Sequence, residues 1–130
     1  MNACFFLQLW FDKLYETFIA KGYYKLLLQG FGNTIIITLG ALCIGVIIGT
    51  LIAVVKYFAE DTKWLRPFAV ISDIYVTVIR GIPVVVLLLI FYFIILASAQ
   101  GTVVAIITFG INSGAYMAEL IRGGIGAVDR

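Results

Sequence analysis

Two long stretches of the chain carry no charge. One runs from residue 26 to 55, between Lys25 and Lys56, and the other from 81 to 118, between Arg80 and Glu119. A membrane-spanning helix needs ~20 apolar residues. The stretch "NTIIITLGALCIGVIIGTLIAVV" (33–55) meets that length, which predicts a first span over about 32–56. The second stretch is too long for one crossing. As a single helix it would reach about 57 Å, against a hydrocarbon core of ~30 Å. Its polar break is "SAQG" (98–101), so a tight hairpin is expected there. That gives a second span over about 82–99 and a third over about 102–121.

The segments around these spans are patterned differently. In the first 29 residues Phe5, Phe6, Trp10, Phe11, Tyr15 and Phe18 alternate with polar residues, and Asp12, Lys13 and Glu16 interrupt the apolar run. No basic residue precedes that run, so it does not read as a signal peptide. It reads as an amphipathic helix lying in the membrane interface, continued by Tyr23 and Tyr24. Between the first two spans, Arg66, Asp73 and Arg80 recur every seven residues with Thr77 on the same side, which marks one face of a helix. Pro67 suits its first turn. Gly81 and Pro83 predict a break before the second span. Arg66, Asp73, Arg80 and Pro83 thus outline an interfacial elbow, with the helix of the second span reaching back to about 67.

Two of the predicted spans have distinct faces. In the first, Thr34, Thr38, Ala41, Gly45 and Gly49 fall within about 80° of arc at 100° per residue. Such a stripe of small residues lets helix backbones approach closely. In the third, Gly110, Gly114 and Ala118 form a small stripe, and Thr108, Asn112, Tyr116 and Glu119 a polar stripe roughly opposite. The polar stripe is expected to face a polar interior. Arg122 follows Glu119 by one helical turn, so the two are placed to neutralise each other at the membrane interface.

Composition narrows the class. The chain has 130 residues, 63% of them hydrophobic and 12% charged, where a soluble domain is nearer half and a quarter. A net charge of +2 with scattered basic residues does not point to nucleic acid. There are two distant cysteines, Cys4 and Cys43, and no histidine. That spacing gives no disulfide framework, and without histidine no Ser/His/Asp set is possible, so neither a protein-held metal nor an enzyme is expected. The glycine-dense run 40–49 has no lysine and is no phosphate cradle. Charge also orients the chain. Lys56, Lys63, Arg66, Arg80, Arg122 and Arg130 stand against Lys13, Lys21 and Lys25, which favours the 56–80 loop and the carboxyl end as cytoplasmic and the amino end as external.

Three segments together resemble a known family. They are "GFGNTIIITLGALCIGVIIGTLIAVVK", "YVTVIRGIPVVVLLLIFYF" and "NSGAYMAELIRGGIGAVD". In this order and spacing they are similar to the membrane permease subunit of ATP-binding-cassette importers for polar amino acids. Asn33 and Thr34 match that family's start of span one. Arg80, Gly81 and Pro83 match its R-G-x-P. Asn112, Ser113, Ala115, Tyr116, Glu119, Arg122, Gly123 and Ile125 match its third-span signature. The resemblance implies an all-α polytopic protein: a 1–29 interfacial segment and, over 30–130, the first three helices of a five-span type-1 permease core. It implies a subunit that forms the substrate path and couples to a separate ATPase subunit, with ATP bound by that partner and no cofactor of its own. Asn112, Tyr116 and Glu119 become candidates for the substrate path, and Arg122, Gly123 and Gly124 for the lead-in to the loop that docks into the ATPase. The chain stops at Arg130, just before that loop, so an amino-terminal fragment or a truncated product is implied. The implied partners are the ATP-binding subunit, a second permease subunit in a homo- or heterodimer, an extracytoplasmic solute-binding protein and the lipid of a bacterial inner membrane. The other reading of the residues is a small self-assembling membrane protein, holin-like or an oligomeric scaffold, built on the first-span stripe.

Overall fold

The computed structural model describes residues 3–128, and the described elements are all helical. Helix α1 spans Ala3–Tyr15 and closes in a π-helical turn over Glu16–Ala20. Gly22, at φ 69°, then re-aims the backbone, a left-handed conformation that a side chain would disfavour. Helix α2 spans Tyr23–Ala59, α3 Arg66–Gly81, α4 Val84–Ile90 and α5 Gly101–Val128. A short 3-10 turn over Lys63–Leu65 leads into α3, and a π-helical turn over Phe91–Ile95 extends α4. The chain divides into two compact units, one ending at Ile36 and one starting at Ile37.

In the first unit α1 buries none of its residues; Phe5, Phe6, Trp10 and Phe11 are all exposed. Within the second unit α2 and α5 pack along a seam of small residues. Ala41, Gly45, Gly49 and Ala53 are buried, one helical turn apart in succession. A Cβ built on Gly110 would lie 2.6 Å from Cγ2 of Ile44, and one on Gly114 2.8 Å from Cγ2 of Ile48. Gly45 and Gly49 face Ser113 and Met117 just as closely. Only glycine lets the two backbones approach this far. Next to this seam α5 carries Ala115 and Ala118, buried with Val76 of α3 in one cluster, with Ile52 of α2 and Tyr75 and Ile79 of α3 packed around them.

The second predicted span departs from a straight crossing. Residues Lys63–Gly81 and Val84–Ile95 meet at 104°. Ile82 preceding Pro83 is extended, at φ −92° and ψ 128°, because a residue before proline is driven out of the helical region. The helix over 67–81 and that over 84–95 are therefore separate elements rather than one helix reaching back to 67. The hairpin turn covers 96–100, earlier than 98–101, and α5 continues past 121 as helix through Arg122, Gly123 and Gly124. Helices α2 and α5 are long and apolar enough to cross a membrane; a third crossing requires the bent pair to count as one broken span.

Candidate functional site at the crossing of α3 and α5

Arg80 ends α3 and Glu119 lies two-thirds of the way along α5. Nη1 of Arg80 donates to Oε2 of Glu119 in an ion pair between the two helices. The same guanidinium sits 5.0 Å from the centroid of the Tyr116 ring, one turn before Glu119. One cation is thus held by a carboxylate and an aromatic face at once, within the ~6 Å reach of a cation–π contact. Five residues back on α3, the Tyr75 hydroxyl donates to the Ile111 carbonyl of α5 at 2.6 Å. A second ion pair ties the other side of α3: Lys56 of α2 to Asp73. Three polar ties therefore fasten this amphipathic helix between the two long ones.

The residues named from sequence are placed as follows. Asn112 is half-buried on the α5 face that carries Tyr116 and Glu119, and Tyr116 is exposed beside Arg80. Thr108, the first residue of that stripe, is fully buried, and its hydroxyl has no hydrogen-bond partner among the described residues. The stripe thus leads from the packed core toward the charged crossing, rather than facing one polar interior along its length. Glu119 also lines a cleft of about 390 Å³ with Tyr57, Glu60 and Arg122. The carboxylate is paired with Arg80 rather than with Arg122, which forms no ion pair among the described residues. Gly123 and Gly124 lie in helix with open space around them. Thr34 is exposed and its hydroxyl donates to the Gly30 carbonyl at 2.9 Å. Thr38 is exposed too. Arg66 is exposed at the start of α3, and Pro83 stands directly before α4.

The chain has clear relatives among known proteins. It is 35% identical over 109 residues to the arginine transport system permease protein of Bacillus subtilis (strain 168), a match covering 80% of this chain and 47% of that protein. It is 35% identical over 119 residues to a putative glutamine transport system permease protein of Rickettsia prowazekii (strain Madrid E), covering 87% of this chain and 52% of the relative. The glutamate/aspartate import permease protein of Escherichia coli O157:H7 is 33% identical over 115 residues, covering 80% and 49%. Its homologues are permeases of polar amino acid ABC transporters. They are named as transport or import permeases. The chain spans about half the length of the curated relatives it matches. No family model matches it, and no solved structure does.

Sequence reasoning brought Arg80 and Glu119 forward in separate segments, and the fold joins them. It missed Tyr75 and both inter-helix ion pairs. A signal existed in the spacing. Arg80 and Glu119 bound the same uncharged run, and the turn over 96–100 lies near its middle. Lys56 and Asp73 likewise stand on either side of the turn at 60–65, four residues before it and eight after. Opposite charges on the two sides of a turn are brought face to face when the flanking segments fold back on each other.

Proposed function

We propose that the chain is the amino-terminal part of the permease subunit of an ATP-driven importer for a polar amino acid. The observation that carries this reading is its similarity, over 80–87% of its length, to permeases named for arginine, glutamine and glutamate/aspartate transport. In this reading α5 contributes Asn112, Tyr116 and Glu119 to the substrate path. Arg122, Gly123 and Gly124 lead toward the loop that engages a separate ATP-binding subunit, and ATP is bound there rather than here. A second permease subunit completes the membrane unit, and an extracytoplasmic solute-binding protein delivers substrate. The setting is a bacterial inner membrane, with the amino end external and the carboxyl end cytoplasmic, supported by the six-to-three bias of basic residues. No observation favours the small self-assembling alternative.

The crossing supports a coupling role by its position. A carboxylate on the proposed path is held by a cation on a different helix, so motion of α3 changes the charge that the path presents. The test is initial uptake of labelled arginine, glutamine and glutamate into vesicles holding the permease that contains this segment, with its ATPase and binding protein. Uptake of one of them that needs ATP is expected. Equal entry with and without ATP would sink the reading.

A further inference from the structure

A second cleft adjoins the one lined by Glu119, shares Glu60 and Arg122 with it, and holds neither Arg80 nor Glu119. It measures about 310 Å³ and is walled by α2, α3 and α5, with Lys56, Glu60, Arg66, Val70, Asp73 and Arg122 among its lining residues. Lys56 and Asp73 are engaged with each other, so their charges cancel. Of the three remaining ionised groups two are cations, Arg66 and Arg122, and one is an anion, Glu60; the balance is one positive charge. Among the described residues neither arginine forms an ion pair. Two guanidiniums from different helices thus converge on one opening with donors to spare. Their planar, many-donor geometry suits a phosphate better than an ammonium does.

Depth points to the source of that phosphate. The uncharged wall of α2 ends at Lys56 and that of α5 at Glu119, so the cleft stands where apolar surface gives way to charge. In a bilayer that is the level of the headgroups. Trp64, two residues before Arg66, is 88% exposed, as suits an aromatic anchor at the same level. Val70, in the wall of the cleft, remains 58% exposed, so apolar surface adjoins the cations. A free anion has no use for that surface; an acyl chain does. Basic pockets between membrane helices are a known way to hold acidic headgroups.

We infer that this cleft binds the headgroup of an anionic phospholipid, with Arg66 and Arg122 as its ligands and a lipid chain lying beside Val70. The inference rests on the membrane setting proposed above, not on the transported substrate. It is tested with the full chain in nanodiscs of phosphatidylcholine alone or with a minority of phosphatidylglycerol. The anionic lipid is expected to raise the melting temperature by about 4 °C or more. Native mass spectrometry is expected to show phosphatidylglycerol retained. The double substitution Arg66→Gln, Arg122→Gln should lose both effects, while Arg66→Lys, Arg122→Lys keeps part of them. Melting in phosphatidylcholine alone reports whether each variant is folded, and the lysine pair serves if the glutamine pair is not. Equal melting of the wild-type chain in both discs would overturn the inference. So would full retention of the gain in the glutamine pair, or the same gain from inorganic phosphate in neutral discs, which would make the cleft a free-anion site. Failure of the wild-type chain to enter either disc would instead overturn the membrane setting itself.

Discussion

Glu119 is the residue on which the geometry converges. It pairs with Arg80 and lines the cleft that also holds Arg122. Removing its charge leaves the Arg80 guanidinium with only the Tyr116 face. Both partners remain partly exposed, 38% and 42%, so the pair's contribution to stability is discounted for screening to ~0–1 kcal/mol. Function should be more sensitive than stability. Glu119→Gln and Arg80→Gln are each expected to lower amino acid uptake by the permease containing this segment. The double variant should transport no worse than the poorer single one, because the second change removes a charge that the first left unpaired. A double variant with the full sum of both losses would show that the residues act separately. Glu119→Gln and Arg122→Gln, by contrast, are expected to show a smaller coupling in thermal melts than Glu119→Gln and Arg80→Gln, because Arg122 forms no ion pair with Glu119. The stack is tested beside them: Tyr116→Leu should cost ~0.5–1 kcal/mol that Tyr116→Phe does not. The i, i+3 spacing of Glu119 and Arg122 was fully legible in the sequence, and the true partner was not. A local spacing only lists the cations that a carboxylate can reach along its own helix. Here a cation on α3 is brought in by a turn 20 residues away, and pairing across helices prevails.

At the scale of elements, the seam between α2 and α5 depends on glycine at particular heights. A methyl group on Gly110 or Gly114 meets the Cγ2 methyl of an isoleucine at 2.6 or 2.8 Å, closer than packed side chains tolerate. Gly110→Ala should therefore cost about 1–3 kcal/mol through overpacking. Gly45→Leu, against Ser113 and the backbone of Gly114, should cost more and loosen the bundle in detergent. Gly124→Ala is the matched control. Nothing lies within 4 Å of that Cβ, and alanine gains up to ~1 kcal/mol of helix propensity over glycine. Its expected outcome is an unchanged or raised melting temperature and slower amide exchange at the end of α5. A Gly110→Ala protein melting like wild type would mean that the seam opens at no cost. On α2 the part of the small-residue stripe at Ala41, Gly45 and Gly49 was readable because it repeats every turn, whereas Thr34 and Thr38, placed on the same stripe from sequence, are exposed; the all-helical class was readable too. The sharp corner at Ile82–Pro83 was half readable. Proline announces a break but not its angle, since the 104° bend is set by how α3 packs across α5. The helical end of α5 was not readable. Gly123, Gly124 and Gly126 have the composition of a loop, yet they continue a helix whose preceding turns are already fixed by packing.

At the scale of the whole molecule, the open question is whether the bent segment crosses the membrane or dips in and returns. The helical part after Pro83 covers 84–95, about 18 Å of rise, well short of a ~30 Å core. Taken alone, that favours a re-entrant loop. The ion pair at the crossing argues the other way. Arg80 is tied to Glu119, so the two ends of the hairpin start from one level. From Glu119 back to Gly101, α5 runs as unbroken helix for about 27 Å. On the other arm, Ile82 and Pro83 form an extended break that adds roughly 7 Å to the short helix. Both arms therefore reach nearly the full depth of the core, and the turn over 96–100 is expected on the face opposite the loop over 60–65. In the proposed orientation that loop is cytoplasmic, as the bias of basic residues favours, so Ser98 is expected to be external. Cys4 and Cys43 are free and exposed, and both are replaced by serine before labelling. In intact cells a membrane-impermeant maleimide should then modify Ser98→Cys, and Lys63→Cys only after the membrane is opened. The reverse pattern would invert the orientation while keeping the crossing. Labelling of both positions only after opening would mean that the hairpin enters and leaves on the cytoplasmic side, and that α5 does not reach across.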